Sequence, residues 1–208
     1  MPEAALKGPK RPYHHGDLAR ALVEAALETI QAEGLEALTL RGVGAKVGVS
    51  RTALYRHFDD KAALLARVAL EGFQLLHETM TRAIANSSVD ADDTLHVMAA
   101  AHVLFAQANP AHYQTMFGGA LAEWSRYPDL VREADAALGQ IADVVREEQR
   151  RKRIGAGDPV EIAEVFWSLI HGIATLAASR HLPRTSMSVE ELAVLGASCL
   201  ERGMRSLR

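Results

Sequence analysis

With 208 residues, a net charge of −3, 49% hydrophobic residues and only 5% aromatic ones, the chain has length for one large or two modest domains. Their cores must be built mainly from Ala, Leu and Val, as in closely packed helices. One cysteine, Cys199, excludes an internal disulfide framework and a cysteine-rich zinc site and points to a reducing, cytoplasmic setting. Residues 1–11 lack the apolar centre of a secretory signal and no run of about 18 apolar residues is present, so neither export by that route nor a membrane span is expected.

Residues 1–14 are rich in Pro, Gly and Lys without a helical period, and are expected to form a flexible basic arm. Such an arm either enters a minor groove or is a solvated tail. His14 and His15 are adjacent and have no cysteine or carboxylate cluster beside them, so no metal site is expected. From Asp17 to Glu33, the residues Leu18, Leu22, Ala25, Ala26 and Ile30 recur at helical spacing, and Gly34 supplies the stop. Thr39 to Lys61 then reads as two short helices around a glycine turn. Thr39 is an N-cap, and Leu40, Val43 and Val47 fall on one face of the helix that it opens. Gly48 suits a left-handed turn residue, and Ser50 offers a second N-cap. In the helix that follows, Ala53, Leu54 and Phe58 can pack inward, which leaves Arg51, Thr52, Tyr55, Arg56 and His57 outward.

Two helices joined in this way are either a plain helical corner with a solvated face or a helix-turn-helix. The outward residue types favour the second. Groove-reading needs donors for guanine edges, polar or apolar groups for thymine, and cations or hydroxyls for phosphate. Arg51, Thr52, Tyr55 and Arg56 are expected to read the groove, while Thr39, Arg41, Ser50, His57 and Lys61 hold the backbone. Charge is distributed accordingly: residues 1–71 carry ten Lys or Arg against nine Asp or Glu, and residues 72–208 thirteen against seventeen. The stretch LTLRGVGAKVGVSRTALYRHFDDKAALL closely resembles the DNA-binding domain of TetR-type bacterial transcription regulators, over roughly His15 to Leu76. The Thr opening the second helix, Gly-Val-Ser at the turn, Leu-Tyr-x-His-Phe, and a Lys three residues after Phe58 carry the resemblance. Gly42 and Gly44 depart from it, since the family more often has Ala or another helix former there, and each Gly costs up to about 1 kcal/mol of helix propensity.

Asp60 looks like the N-cap of a long helix from Lys61 to about Ala85, followed by the polar break 86–93. Helices are then expected from Thr94 to the Asn109-Pro110 stop, through Tyr113, Met116 and Phe117, and from Pro128 toward Lys152. Asp158 and Pro159 open the most apolar stretch, Glu161 to His181, and a last helix covers about Val189 to Leu207. Their apolar residues cover more than one face, so residues 161–181 and 189–207 either form a homodimer interface or complete the monomer core. The segment FWSLIHGIATL resembles a Trp-x-x-x-His-Gly pattern in the ligand-binding half of one group of these regulators. His171 either hydrogen-bonds a ligand or is a satisfied core histidine. Met98, His102, Phe105, Met116, Phe117, Leu121 and Trp124, with Phe166, Trp167, Ile170, His171 and Ala174, are the candidate lining of a ligand pocket.

Zincin, di-iron, nucleophile-elbow and phosphate-loop motifs are all missing, and Gly42-x-Gly44 and Gly155-x-Gly157 lack the third glycine of a dinucleotide fingerprint. No enzyme activity, cofactor or metal is therefore expected. The sequence predicts an all-α chain: the arm 1–14, a three-helix helix-turn-helix domain at 15–76, and a helical ligand-binding and dimerisation domain at 77–208, with one helix shared between them. The resemblance implies a DNA-binding transcriptional regulator, foremost a repressor that binds an inverted-repeat operator of double-stranded DNA as a homodimer and responds to a small, largely apolar effector. The rival reading is a helical ligand-binding protein that has lost DNA binding.

Overall fold

A computed structural model describes residues 15–87, 94–182 and 186–205, with side chains from Leu18 onward. The basic arm expected at 1–14 and most of the 86–93 break lie outside the described residues. Among those described there are nine α-helices and no strand. The chain divides into two compact units, Met1–Lys61 and Ala62–Arg208. The second unit thus begins in the first turn of the long helix.

In the first unit, α1 (His15–Glu33) buries Leu18, Leu22, Val23, Ala25, Ala26 and Ile30 and ends at Gly34, which has φ +87° and donates its amide to Ile30. A 3₁₀ turn, Leu35–Ala37, leads to α2 (Leu40–Val47) and α3 (Arg51–Tyr55). The Thr39 hydroxyl accepts from Gly42 N at 3.0 Å and the Ser50 hydroxyl from Ala53 N at 3.2 Å, so both expected N-caps are made. Gly48 stands at φ +76°, where a side chain would be strained. The glycines inside α2 have a packing reason. A Cβ on Gly44 would lie 3.0 Å from Leu54 Cδ2, and one on Gly42 2.9 Å from the capping Thr39 Oγ1. The lost helix propensity is exchanged for close approach of α2 to α3. Leu54 and Phe58 are buried as expected, but Ala53 and Val47 are only half-buried. The second helix is also shorter than its apolar spacing suggested: α3 ends at Tyr55, so Arg56 and His57 lie in the turn beyond it.

The second unit is built on α4 (Lys61–Asn86), α5 (Thr94–Ala108), α6 (Pro110–Phe117), a 3₁₀ turn at Trp124–Arg126, α7 (Pro128–Arg150), α8 (Pro159–Ala178) and α9 (Val189–Met204). Starts are set by local chemistry: Pro110, Pro128 and Pro159 occupy first-turn positions, Asp158 accepts from Val160 N, and Ser188 and Glu191 form a reciprocal capping box. The central helix is α5. Eight of its fifteen residues are buried, and it packs on α6, α7, α8 and α9. By length and composition α8 is apolar enough to cross a membrane, although Glu161 and Glu164 interrupt its apolar run. It buries only Ile162, Ala163, Phe166, Ile170 and Ala174 within the unit, while Val165 and Leu176 remain 55% and 46% exposed. Beside it on α9, Leu195 is 45% exposed and Cys199 is exposed. Gly196, rather than Gly172, is where α8 and α9 approach: its Cβ would meet Ile173 Cδ1 at 3.2 Å, whereas nothing lies within 4 Å of a Cβ at Gly172.

Candidate functional site

Two sites follow, one in each unit. In the first unit, Thr39, Arg41, Ser50, Arg51, Thr52, Tyr55 and Arg56 are all exposed, and His57 is half-buried. The Arg51 guanidinium lies 5.4 Å from the Tyr55 ring centroid, an i,i+4 cation–π pair that restrains both side chains on one face of α3. Thr39 and Ser50 use their oxygens to cap helices, which leaves each hydroxyl hydrogen free to donate to an anionic oxygen. Two of the basic residues near the motif are engaged inside the unit. Lys46 pairs with Glu28 at 2.9 Å, and Lys61 donates to the Leu35 carbonyl at 3.3 Å. The lysine after Phe58 therefore ties the start of α4 to the turn that follows α1, and only its remaining ammonium donors face elsewhere. The arrangement presents three exposed guanidinium groups, Arg41, Arg51 and Arg56, with hydroxyls and a phenol between them.

In the second unit a cavity of about 390 Å³ opens between α4, α6, α7 and α8. Of the residues expected to line it, His102, Met116, Phe117, Trp124 and Trp167 do so. Met98, Phe105, Leu121, Phe166, Ile170 and Ala174 do not line it: all are buried core, with Phe105 only 1% exposed. They satisfy the helical period because they pack between helices, and period alone does not separate core from cavity wall. Missed were Phe73, Leu76 and Met80 on α4, and Asp135, Leu138 and Ile141 on α7. The signal available for them was amphipathicity, since both helices carry apolar stripes that the core accounted for equally well.

Behind one wall residue, His102, lies a polar relay whose other members, Tyr113, His171 and Thr175, do not line the cavity. Tyr113 Oη lies 3.1 Å from His102 Nε2 and 2.7 Å from His171 Nδ1, and His171 Nε2 lies 3.4 Å from Thr175 Oγ1. His171, a predicted lining residue, is thus engaged by Tyr113 and stacked on Trp167 at 5.3 Å between centroids. Burial drives the His102 imidazole down to about 3, with His171 adding to the effect, and it lowers His171 as well; it raises the Tyr113 phenol. Both rings are neutral near pH 7. A phenol has one hydrogen, so it donates to one histidine and accepts from the other, and the two tautomers are fixed together. Around the relay the rings interlock edge to face: Phe73 on Phe117 at 5.5 Å, Phe73 on Trp124 at 5.6 Å, and Tyr113 on Phe117 at 4.8 Å. Among the described residues no cluster of three or more His, Cys, Asp or Glu is placed to hold a metal ion.

Residues 22–68 match the model of bacterial regulatory proteins of the tetR family, and residues 95–200 match the tetracyclin repressor-like C-terminal domain. The chain is 30% identical over 158 residues to the nucleoid occlusion factor SlmA of Photobacterium profundum, covering 75% of this chain and 78% of that protein. It is 26% identical over 196 residues to the HTH-type transcriptional regulator Rv0472c of Mycobacterium tuberculosis, covering 92% of this chain and 81% of that one. Among solved structures, a protein from Rhodococcus sp. RHA1 superposes with a TM-score of 0.80 at 32% identity over 95% of this chain and all of that one. The fatty acid degradation regulator FadR from Bacillus halodurans shares the fold, with a TM-score of 0.73 at 13% identity over 94% of this chain and 99% of its own.

Proposed function

The chain belongs to the TetR family of bacterial transcription regulators, and from that premise we propose that it is a ligand-responsive repressor that binds an inverted-repeat operator as a homodimer in the cytoplasm. The observation that supports DNA reading is the exposed set Arg51, Thr52, Tyr55 and Arg56, on α3 and the turn that ends it. In this reading those four meet base edges, while Thr39, Arg41, Ser50 and His57 meet phosphates. Lys61 braces the start of α4 on the Leu35 carbonyl and offers its other donors to the backbone. One such helix covers a half-site, so a two-fold pair is needed for a full one. The exposed apolar faces of α8 and α9, with Val165, Leu176 and Leu195, support pairing with a second copy.

The cavity in the second unit supports effector binding. Its wall includes Phe73, Leu76 and Met80 of α4, one uninterrupted helix that starts at Lys61. A ligand that fits better in one placement of α4 than another changes operator affinity, and the operator changes ligand affinity by the same factor. A coupling of about 1–3 kcal/mol is typical of such systems. The test is a gel-shift titration on the DNA flanking the protein's own gene, beside light scattering. Salt-sensitive retention by a dimer is expected; a monomer with undiminished binding refutes the dimer, and no retention of any flanking segment refutes autoregulation through this operator.

A further inference from the structure

We propose that the effector of this cavity is a lipophilic cation, such as an aryl or alkyl ammonium, held between aromatic rings and the Asp135 carboxylate. The inference rests on the ligand-responsive reading above and gives that ligand a charge. Four aromatic side chains from four separate elements line the space: Phe73, Phe117, Trp124 and Trp167. Aromatic faces carry negative charge density and attract cations, most strongly where water is thin. Among the described residues the only formally charged one in the wall is Asp135, and neither Lys nor Arg is present there. The neighbouring aspartates of α7 are neutralised, Asp129 by Arg132 at 2.8 Å and Asp143 by Arg146, whereas no ion pair reaches Asp135 among the described residues. The other ionisable side chain in the wall, His102, is held neutral and already spends Nε2 on Tyr113, so it supplies no positive charge for an anion. A carboxylate or phosphate ligand would meet a carboxylate and aromatic rings with no compensating cation among the described lining residues. An ammonium head with an apolar body meets complementary chemistry throughout.

Both tryptophans of the chain, Trp124 and Trp167, line the cavity, so intrinsic fluorescence reports its occupancy directly. Three probes separate charge from shape: phenyltrimethylammonium, the neutral isostere tert-butylbenzene, and benzenesulfonate, each titrated against the full chain with calorimetry alongside. The cation is expected to quench saturably and to bind more tightly than the other two. Because Asp135 is exposed and partly screened, Asp135→Asn should weaken the cation by about threefold to tenfold and leave tert-butylbenzene unchanged. Trp124→Leu, which keeps apolar bulk but removes a ring face, should likewise weaken the cation more than the neutral probe, with calorimetry as its readout. Equal or tighter binding of the neutral or anionic probe, no saturable binding of the cation, or an unchanged cation affinity in Asp135→Asn overturns the proposal. Charge-selective binding that leaves operator affinity unaltered upholds it and defeats the ligand-responsive reading instead.

Discussion

Acidification should destabilise the helical unit through one histidine. His102 is 3% exposed, and burial holds its imidazole at about 3 against an ordinary 6.5. Between those values the unfolded chain binds a proton that the folded chain refuses, so stability is fully present above pH 6.5 and falls steadily as pH drops toward 3. At pH 5, one and a half units below the ordinary value, the loss from this ring alone is about 2 kcal/mol at about 1.4 kcal/mol per unit. His171 and His112 are also lowered by burial and act in the same direction, His112 against the opposing pull of Glu71. The contribution of His102 is isolated by comparing wild type with His102→Leu, in which Tyr113 keeps its bond to His171. Urea unfolding followed by tryptophan fluorescence reports the right unit, because Trp124 and Trp167 both lie in it. Between pH 7.5 and 5 the wild type should lose about 2 kcal/mol more than the variant. Identical pH dependence of the two proteins would refute the placement of His102 as a neutral buried ring.

Other perturbations separate the roles proposed above. Arg56→Ala should cost about 1–3 kcal/mol of operator affinity and alter base preference at one position, as read by binding to a randomised half-site library. Lys61→Ala should instead lower the melting temperature, through loss of a bond to Leu35 worth about 1 kcal/mol, and weaken all DNA sequences alike with a salt slope smaller by about one. Phe105→Ala should destabilise the protein by about 3–5 kcal/mol in denaturant titrations, since the ring is core; an altered probe affinity at unchanged stability would contradict that. Val165→Lys combined with Leu195→Lys should give a monomer in light scattering with intact helical circular dichroism, and an unaltered dimer would place the interface elsewhere.

The first unit was legible because its determinants are local. A hydroxyl three residues before the amide that it caps, a glycine at the left-handed position and a second hydroxyl two residues on define α2, the turn and α3 within a short span of chain. What escaped there was long-range. Lys61 reaching the Leu35 carbonyl and Lys46 reaching Glu28 join residues far apart in sequence, so one cation counted toward the phosphate-binding set, Lys61, and the nearby Lys46 are engaged within the unit. Even Gly44, an oddity on propensity, became intelligible only when Leu54 was seen 3.0 Å from its missing Cβ. The helix order of the second unit was readable for the same local reason, from Pro110, Pro128, Asp158 and Pro159.

The cavity resisted reading because its wall and the core are made of the same residue types at the same period. Phe105 and His102 stand on one face of α5 a turn apart, yet His102 touches the cavity and Phe105 does not. The difference depends on which neighbour fills the space above each residue, a property of α4 and α7 rather than of α5. Asp135 shows the same limit from the polar side. In sequence it is one of three aspartates spaced along α7, and only the positions of Arg132 and Arg146 reveal that its two companions are neutralised while it is not. A charge left unpaired beside aromatic walls acquires meaning only when the walls are assembled. The wall of the cavity in the second unit is therefore set by packing, whereas the exposed set of the first is set by sequence spacing, and substitutions that alter the cavity are expected on α4 and α7 without disturbing the α2–α3 motif.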